Sequence, residues 1–170
     1  MFVRQNQQQF RNSNADVQIF YGDGGGNFYT RSWNKPIGVS HVYMLLIGAG
    51  GNGDGASLGG GSGAVTVWYG AAQNVPDSLV ILLPTYGSSG ASTVVGYRNT
   101  SNTLVRLVNA TGGNLSTGGS VSSQGAFSSS GFSQNISGQS GSSSDPGASA
   151  TTFLSGGSVT AVNVTANYGY

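Results

Sequence analysis

Between two apolar runs, Val42–Ile47 and Ala64–Tyr69, the chain carries nine glycines in sixteen residues, Gly48 to Gly63. Each glycine costs about 0.8–1.0 kcal/mol relative to alanine in a helix interior, so this block cannot be helical. The flanking runs are then short strands joined through glycine. The first six residues, Gly48-Ala49-Gly50-Gly51-Asn52-Gly53, fit the G-x-G-x-x-G pattern of dinucleotide-binding folds. In those folds the third glycine opens a helix whose positive end holds the pyrophosphate. Here Gly53 leads into Asp54-Gly55-Ala56-Ser57-Leu58-Gly59-Gly60-Gly61, where no helix can start. The acidic residue that should follow about 20 positions later to hold the ribose is missing, as is a phosphate-cradling G-x-x-x-x-G-K-[ST]. The block therefore predicts no nucleotide site and no cofactor.

The rest of the chain reads as strands. Val17–Tyr21 ends at the turn cluster Gly22–Gly26. Asn27–Trp33 alternates, with Phe28, Thr30 and Ser32 on one face and Tyr29, Arg31 and Trp33 on the other. Lys35-Pro36-Ile37-Gly38 breaks that strand, because proline has no donor for a ladder. Val39–Ile47 is apolar enough to be a buried central strand, and Ala64–Tyr69 puts Val65 and Val67 on its inner face. Leu79–Leu83, Ser92–Tyr97, Leu104–Asn109 and Val159–Ala166 complete a set of about eight, with no segment of helical period. Such a pattern predicts an all-β chain, a single jelly-roll-like β-sandwich spanning residues 16–170. Residues 1–15, with Gln7, Gln8, Gln9 and Phe10, form a polar N-terminal arm expected to order against another chain. Residues 112–150 are dominated by Ser and Gly but keep Leu115, Val121, Phe127, Phe132 and Ile136. They are expected to form a long loop pinned at those points.

Charge is scarce: 6% of residues, against about 25% in ordinary domains. The basic residues Arg4, Arg11, Arg31, Lys35, Arg98 and Arg106 are scattered singly, and the net charge is +1, which gives no footprint for nucleic acid. Without cysteine there is neither a disulfide framework nor a thiolate zinc site. Met1–Gln5 leads into a Gln/Asn tract rather than an apolar leader, and no apolar run approaches the roughly 20 residues of a membrane span. His41 is the only histidine, so no histidine-cluster metal site can be assembled and no catalytic triad stands out; a packed or hydrogen-bonded structural role is expected for it. Asp23, Asp54, Asp77 and Asp145 adjoin Gly or Pro, where aspartate serves turns, and nothing pairs them as a hydrolase would. The chain is therefore not expected to be an enzyme. The aromatics Phe28, Tyr29, Trp33, Trp68 and Tyr69 fill a core or make a sugar-stacking platform, core packing being the commoner fate.

One resemblance runs through residues 28–111. Phe28, Trp33, Lys35-Pro36, Gly38-Val39-Ser40, Met44-Leu45-Leu46-Ile47-Gly48, Gly50-Gly51 and Gly59-Gly60-Gly61-Ser62-Gly63-Ala64 resemble the glycine-rich domain of bacteriophage tail-fibre and other virion structural proteins. Asn109-Ala110-Thr111-Gly112-Gly113 echoes its Ala-Thr-Gly-Gly ending. The polyglycine block is shorter here, interrupted by Asn52, Asp54 and Leu58, and no fibre shaft or repeat accompanies it. Size and strand pattern also resemble single-jelly-roll capsid or vertex proteins. The resemblance implies a structural virion protein, a minor capsid or vertex (penton) subunit. Its partners would be copies of itself and other virion proteins, with Gly48, Gly50, Gly51, Gly53, Gly59, Gly60, Gly61 and Gly63 as the assembly or binding loop. The alternatives are a receptor-binding tip that meets a host surface receptor or glycan, and a carbohydrate-binding module.

Overall fold

A computed structural model describes residues 16–22, 28–52, 59–84, 90–114 and 130–141. These form seven strands: β1 (Phe28–Asn34), β2 (His41–Ile47), β3 (Val65–Ala71), β4 (Ser78–Pro84), β5 (Thr93–Arg98), β6 (Leu104–Ala110) and β7 (Gly131–Ile136). One 3-10 turn, Ala72–Asn74, follows β3. The strands build two antiparallel sheets, ordered β1-β4-β5-β6 and β2-β3-β7. The protein is thus an all-β sandwich, as the alternation and turn signals predict.

Each sheet turns one side of its pleat inward. In the four-stranded sheet, Tyr29 and Trp33 of β1 lie opposite Leu83 and Leu79 of β4, and Ile81 lies opposite Val95 of β5. The other sheet contributes Leu46 and Trp68, with Val42 and Met44 packed against the same core. Trp68 is fully buried, and its indole lies across Gly70 and Gly131, where no side chain would fit. The pairing of β5 with β6 shifts register between Val95 and Gly96, so that Val95 faces Val108 while Gly96 faces Arg106. The extra residue, Leu107, lets two consecutive side chains, Leu107 and Val108, both reach the core.

Four expectations need correcting. Val17–Tyr21 is not a strand: Phe20 packs on the core, but no described strand offers the segment a ladder, and Val17, Ile19 and Tyr21 stay exposed. The 112–150 stretch is not all loop, since Gly131–Ile136 is β7, with Phe132 opposite Tyr69 and Ile136 opposite Val65. Among the described strands β2 lies at the edge of its sheet rather than at the centre, with Tyr43, Leu45 and Ile47 exposed. On β3 the core face is that of Trp68; Val65 and Val67 are buried on the opposite face, outside the core cluster. The expected strand Val159–Ala166, Gly53, and the arm residues Gln7, Gln8, Gln9 and Phe10 lie outside the described residues.

A glycine bundle that joins the two sheets

β2 and β6 run toward one end of the sandwich; β3 and β5 start from that end, and β7 finishes there. The segments continuing from them are glycine-rich: 48–52, 59–64, 90–92, 111–114 and 137–141. In the body of the sandwich, side chains such as Trp68, Leu46 and Leu107 hold the sheets at the usual separation of about 10 Å. Nearer the end, threonine hydroxyls cross the gap. Thr93 of β5 donates to the Ile47 carbonyl of β2, and Thr66 of β3 donates to the Asn109 carbonyl of β6 at 2.8 Å. The Thr66 hydroxyl also lies 3.0 Å from the side-chain amide of Asn135.

Beyond the threonines most residues are Gly, Ala or Ser, and the two sheets meet backbone to backbone. Ala49 N–H donates to Ala91 C=O (3.2 Å) and Gly113 N–H to Ala49 C=O (2.8 Å). Gly48 N–H donates to Ala64 C=O (2.9 Å), while Ala64 N–H donates to Thr111 C=O (2.8 Å). Gly51 N–H reaches Gly61 C=O at 2.7 Å, and Gly90 N–H reaches Gly113 C=O at 2.7 Å. None of these residues belongs to a regular strand. Three of these six bonds, from Ala49 to Ala91, Gly113 to Ala49 and Ala64 to Thr111, run between the sheets, and the other three continue the pairing within one sheet.

Segment 59–64 is the axis of this bundle, buried from Gly60 onward. A Cβ on Gly60 would overlap the Gly51 carbonyl, and three residues on a Cβ on Gly63 would overlap the Gly48 carbonyl. The other contacts repeat at the same interval. Ser62 N–H donates to Gln139 C=O at 2.9 Å and its hydroxyl accepts from Gln139 N–H at 2.8 Å; Gly59, three residues earlier, has its carbonyl against Gly141. Gly61 has its carbonyl against Gly113, and Ala64, three residues later, bonds Thr111. Apart from the Gly61 carbonyl, which also accepts from Gly51, the contacts recur every third residue, the spacing of an extended helix with three residues per turn. Such a helix offers three sides to three neighbours, as in collagen, where only glycine fits the crowded positions. Glycine is needed here because there is no room for a Cβ, and none of these residues has positive φ. Positive φ among described glycines occurs at Gly38 and Gly90.

Of the glycines expected to form an external loop, Gly48, Gly51, Gly60, Gly61 and Gly63 are buried in their own chain, with Gly50 and Gly59 partly exposed. The amides a pyrophosphate would need at Gly48, Ala49 and Gly51 are already bonded to carbonyls. His41 is exposed, with Nδ1 3.1 Å from the Ser40 hydroxyl and its ring stacked on Tyr69 at 5.3 Å and 6°. Asp77 pairs with Lys35 at 2.8 Å, and the Lys35 ammonium also donates to the carbonyls of Val75 (2.8 Å) and Ala72 (3.2 Å). That clamp closes the opposite end of the sandwich. Among the described residues no three His, Asp or Glu gather to hold a metal ion, and no helix is long and apolar enough to cross a membrane. Trp68 is core, Tyr29 and Trp33 pack on it, and Phe28 and Tyr69 are exposed. The bundle's partners in 111–114 and 137–141 could not be assigned from sequence; the glycine pairs Gly112-Gly113 and Gly138/Gly141 were their only signal. No family model, curated protein or solved structure matches the chain.

Proposed function

We propose that the chain is a structural virion subunit, a minor capsid or vertex component, and not an enzyme. The observation that carries this reading is the glycine bundle, which spends its polar groups on backbone cohesion within the chain. A particle component gains from such a construction, because backbone hydrogen bonds buried among glycines do not depend on charge, salt or redox state. The composition agrees, with little charge and no cysteine. The resemblance of residues 28–111 to virion glycine-rich domains points the same way.

A receptor-binding tip is the second reading, and one feature favours it. The chain enters residues 53–58 from Gly51-Asn52 and leaves them at Gly59–Gly61, with Gly51 bonded to Gly61. The described residues on either side of 53–58 are thus bonded to each other at one end of the sandwich.

Gold-labelled antibody against the chain, applied to purified particles, tests the proposal. Labelling at vertices or across the shell supports the capsid reading, and labelling at fibre ends supports the tip. Particles that contain none of the chain overturn both.

A further inference from the structure

The outer face of the β2-β3-β7 sheet is unusual for a surface. Tyr43, Tyr69 and Phe132 lie in register on adjacent strands, forming an aromatic row across the described strands; Val65 and Val67, farther along β3 on the same face, are buried and take no part in it. His41 stacks on Tyr69 on one side of the row, and Leu45 and Ile47 continue along β2 on the other. The exposures are 54% for Tyr43, 40% for Leu45, 44% for Ile47, 45% for Tyr69 and 64% for Phe132. These three strands contain no Asp, Glu, Lys or Arg.

We propose that this face is the contact between two copies of the chain, packed sheet against sheet. Large side chains carry about 200 Å² each, so the five exposed ones leave roughly 500 Å² of apolar surface. That is near the top of what soluble monomers display, about 300–600 Å². It is also some two thirds of the roughly 800 Å² that each side of a standard interface supplies. Charge argues for the same partner. A strongly acidic or basic protein would find no counter-charge on these strands, whereas two copies of the same face bring no like charges together. The geometry is self-complementary: a two-fold axis along β3 sets β2 of one copy over β7 of the other, with Tyr43 facing Phe132. Packed sheets lie about 10 Å apart with strands within about 30° of each other, which the row of rings fills. The area falls short of a standard interface, which fits a weak contact that strengthens where other contacts hold subunits together.

This inference names the self-contact within the virion reading and rests on it for its biological role, but the two fail separately. Sedimentation equilibrium of the full chain is run from low to high micromolar loading. The wild type shifts from monomer to dimer mass. Leu45→Arg and Tyr69→Arg, which put a charge into the face, weaken the association by about tenfold or more. Ile37→Arg, at a fully exposed site off these strands, leaves it unchanged. Circular dichroism checks folding, and Tyr43→Ser with Phe132→Ser replaces any arginine variant that unfolds. A wild type that stays monomeric at every loading overturns the proposal, as does a dimer that survives all face variants. A monomer whose tyrosine fluorescence responds to oligosaccharide overturns it in favour of a sugar platform. Absence of the chain from particles would refute the virion reading and leave a measured dimer standing.

Discussion

Replacing Gly63 by alanine adds one methyl group at a crowded point of the glycine bundle. That methyl would overlap the carbonyl oxygen and carbon of Gly48, and backbone, unlike a long side chain, cannot swing aside. Segment 48–52 must then move away from segment 59–64, stretching the bonds from Gly48 to Ala64 and from Gly51 to Gly61. Overpacking of this kind costs about 1–3 kcal/mol, and each weakened backbone bond adds about 0.5–1.5 kcal/mol. Against this, alanine reduces the freedom of the unfolded chain by about 0.4–1 kcal/mol. The net loss is about 1–5 kcal/mol, which in a chain of this size lowers Tm by roughly 2–20 °C. Gly38 is the comparison. Its φ of +84° strains any L-residue, but nothing lies within 4 Å of a Cβ there. Gly38→Ala therefore costs about 1–2 kcal/mol from torsion alone, and Gly38→Asn recovers part of that because asparagine tolerates the left-handed region. At Gly63 asparagine must be worse than alanine, since the obstacle is volume. Thermal melting by circular dichroism reads all four variants. Gly63→Ala melting at or above wild type, or Gly63→Asn melting above Gly63→Ala, would refute the steric reasoning.

Other expected outcomes concern the rest of the sandwich. Trp68→Ala empties the centre of the core and should cost about 3–5 kcal/mol in denaturant unfolding, leaving Gly70 and Gly131 facing a void. Lys35→Met takes the ammonium from the Val75 carbonyl and leaves the Ala72 carbonyl only its bond from Val75 N–H, and should cost about 1–3 kcal/mol, whereas Asp77→Asn, at an exposed carboxylate, should leave the melting temperature unchanged; equal losses would mean the ion pair, not the carbonyls, is what matters. Thr66→Val removes the hydroxyl that bridges β3 to Asn109 of β6 and should destabilise by about 1–3 kcal/mol despite conserving shape, as measured in the same unfolding experiment.

Strand periodicity made the body of the fold legible in the sequence. β1, β3, β4, β5 and β6 fall within a residue or two of the positions read from alternation and turn residues. β7 was hidden because Gly131-Phe132-Ser133-Gln134-Asn135-Ile136 has low strand propensity on its own; it forms because β3 offers a ladder and Trp68 needs Gly131 beneath its ring. Val17–Tyr21 is the opposite case, a segment of good propensity for which no described ladder exists. The apolar character of Val39–Ile47 suggested burial on both faces, yet the outer residues Tyr43, Leu45 and Ile47 are exposed. The glycine block marked a non-helical connection between two strands, but not which segments it would meet. Glycine has no side chain to carry a partner preference, so those pairings follow from where the strands end.

Hydrogen exchange at single amides tests the central claim, that the glycine-rich segments are a hydrogen-bonded structural element joining the two sheets. If they are, the amides of Gly48, Ala49, Gly51, Ser62, Ala64 and Gly113 should exchange as slowly as those of Trp68 and Val95, opening only with global unfolding. Exchange of these six amides at the rate of unstructured chain, with β3 and β6 still protected, would contradict it.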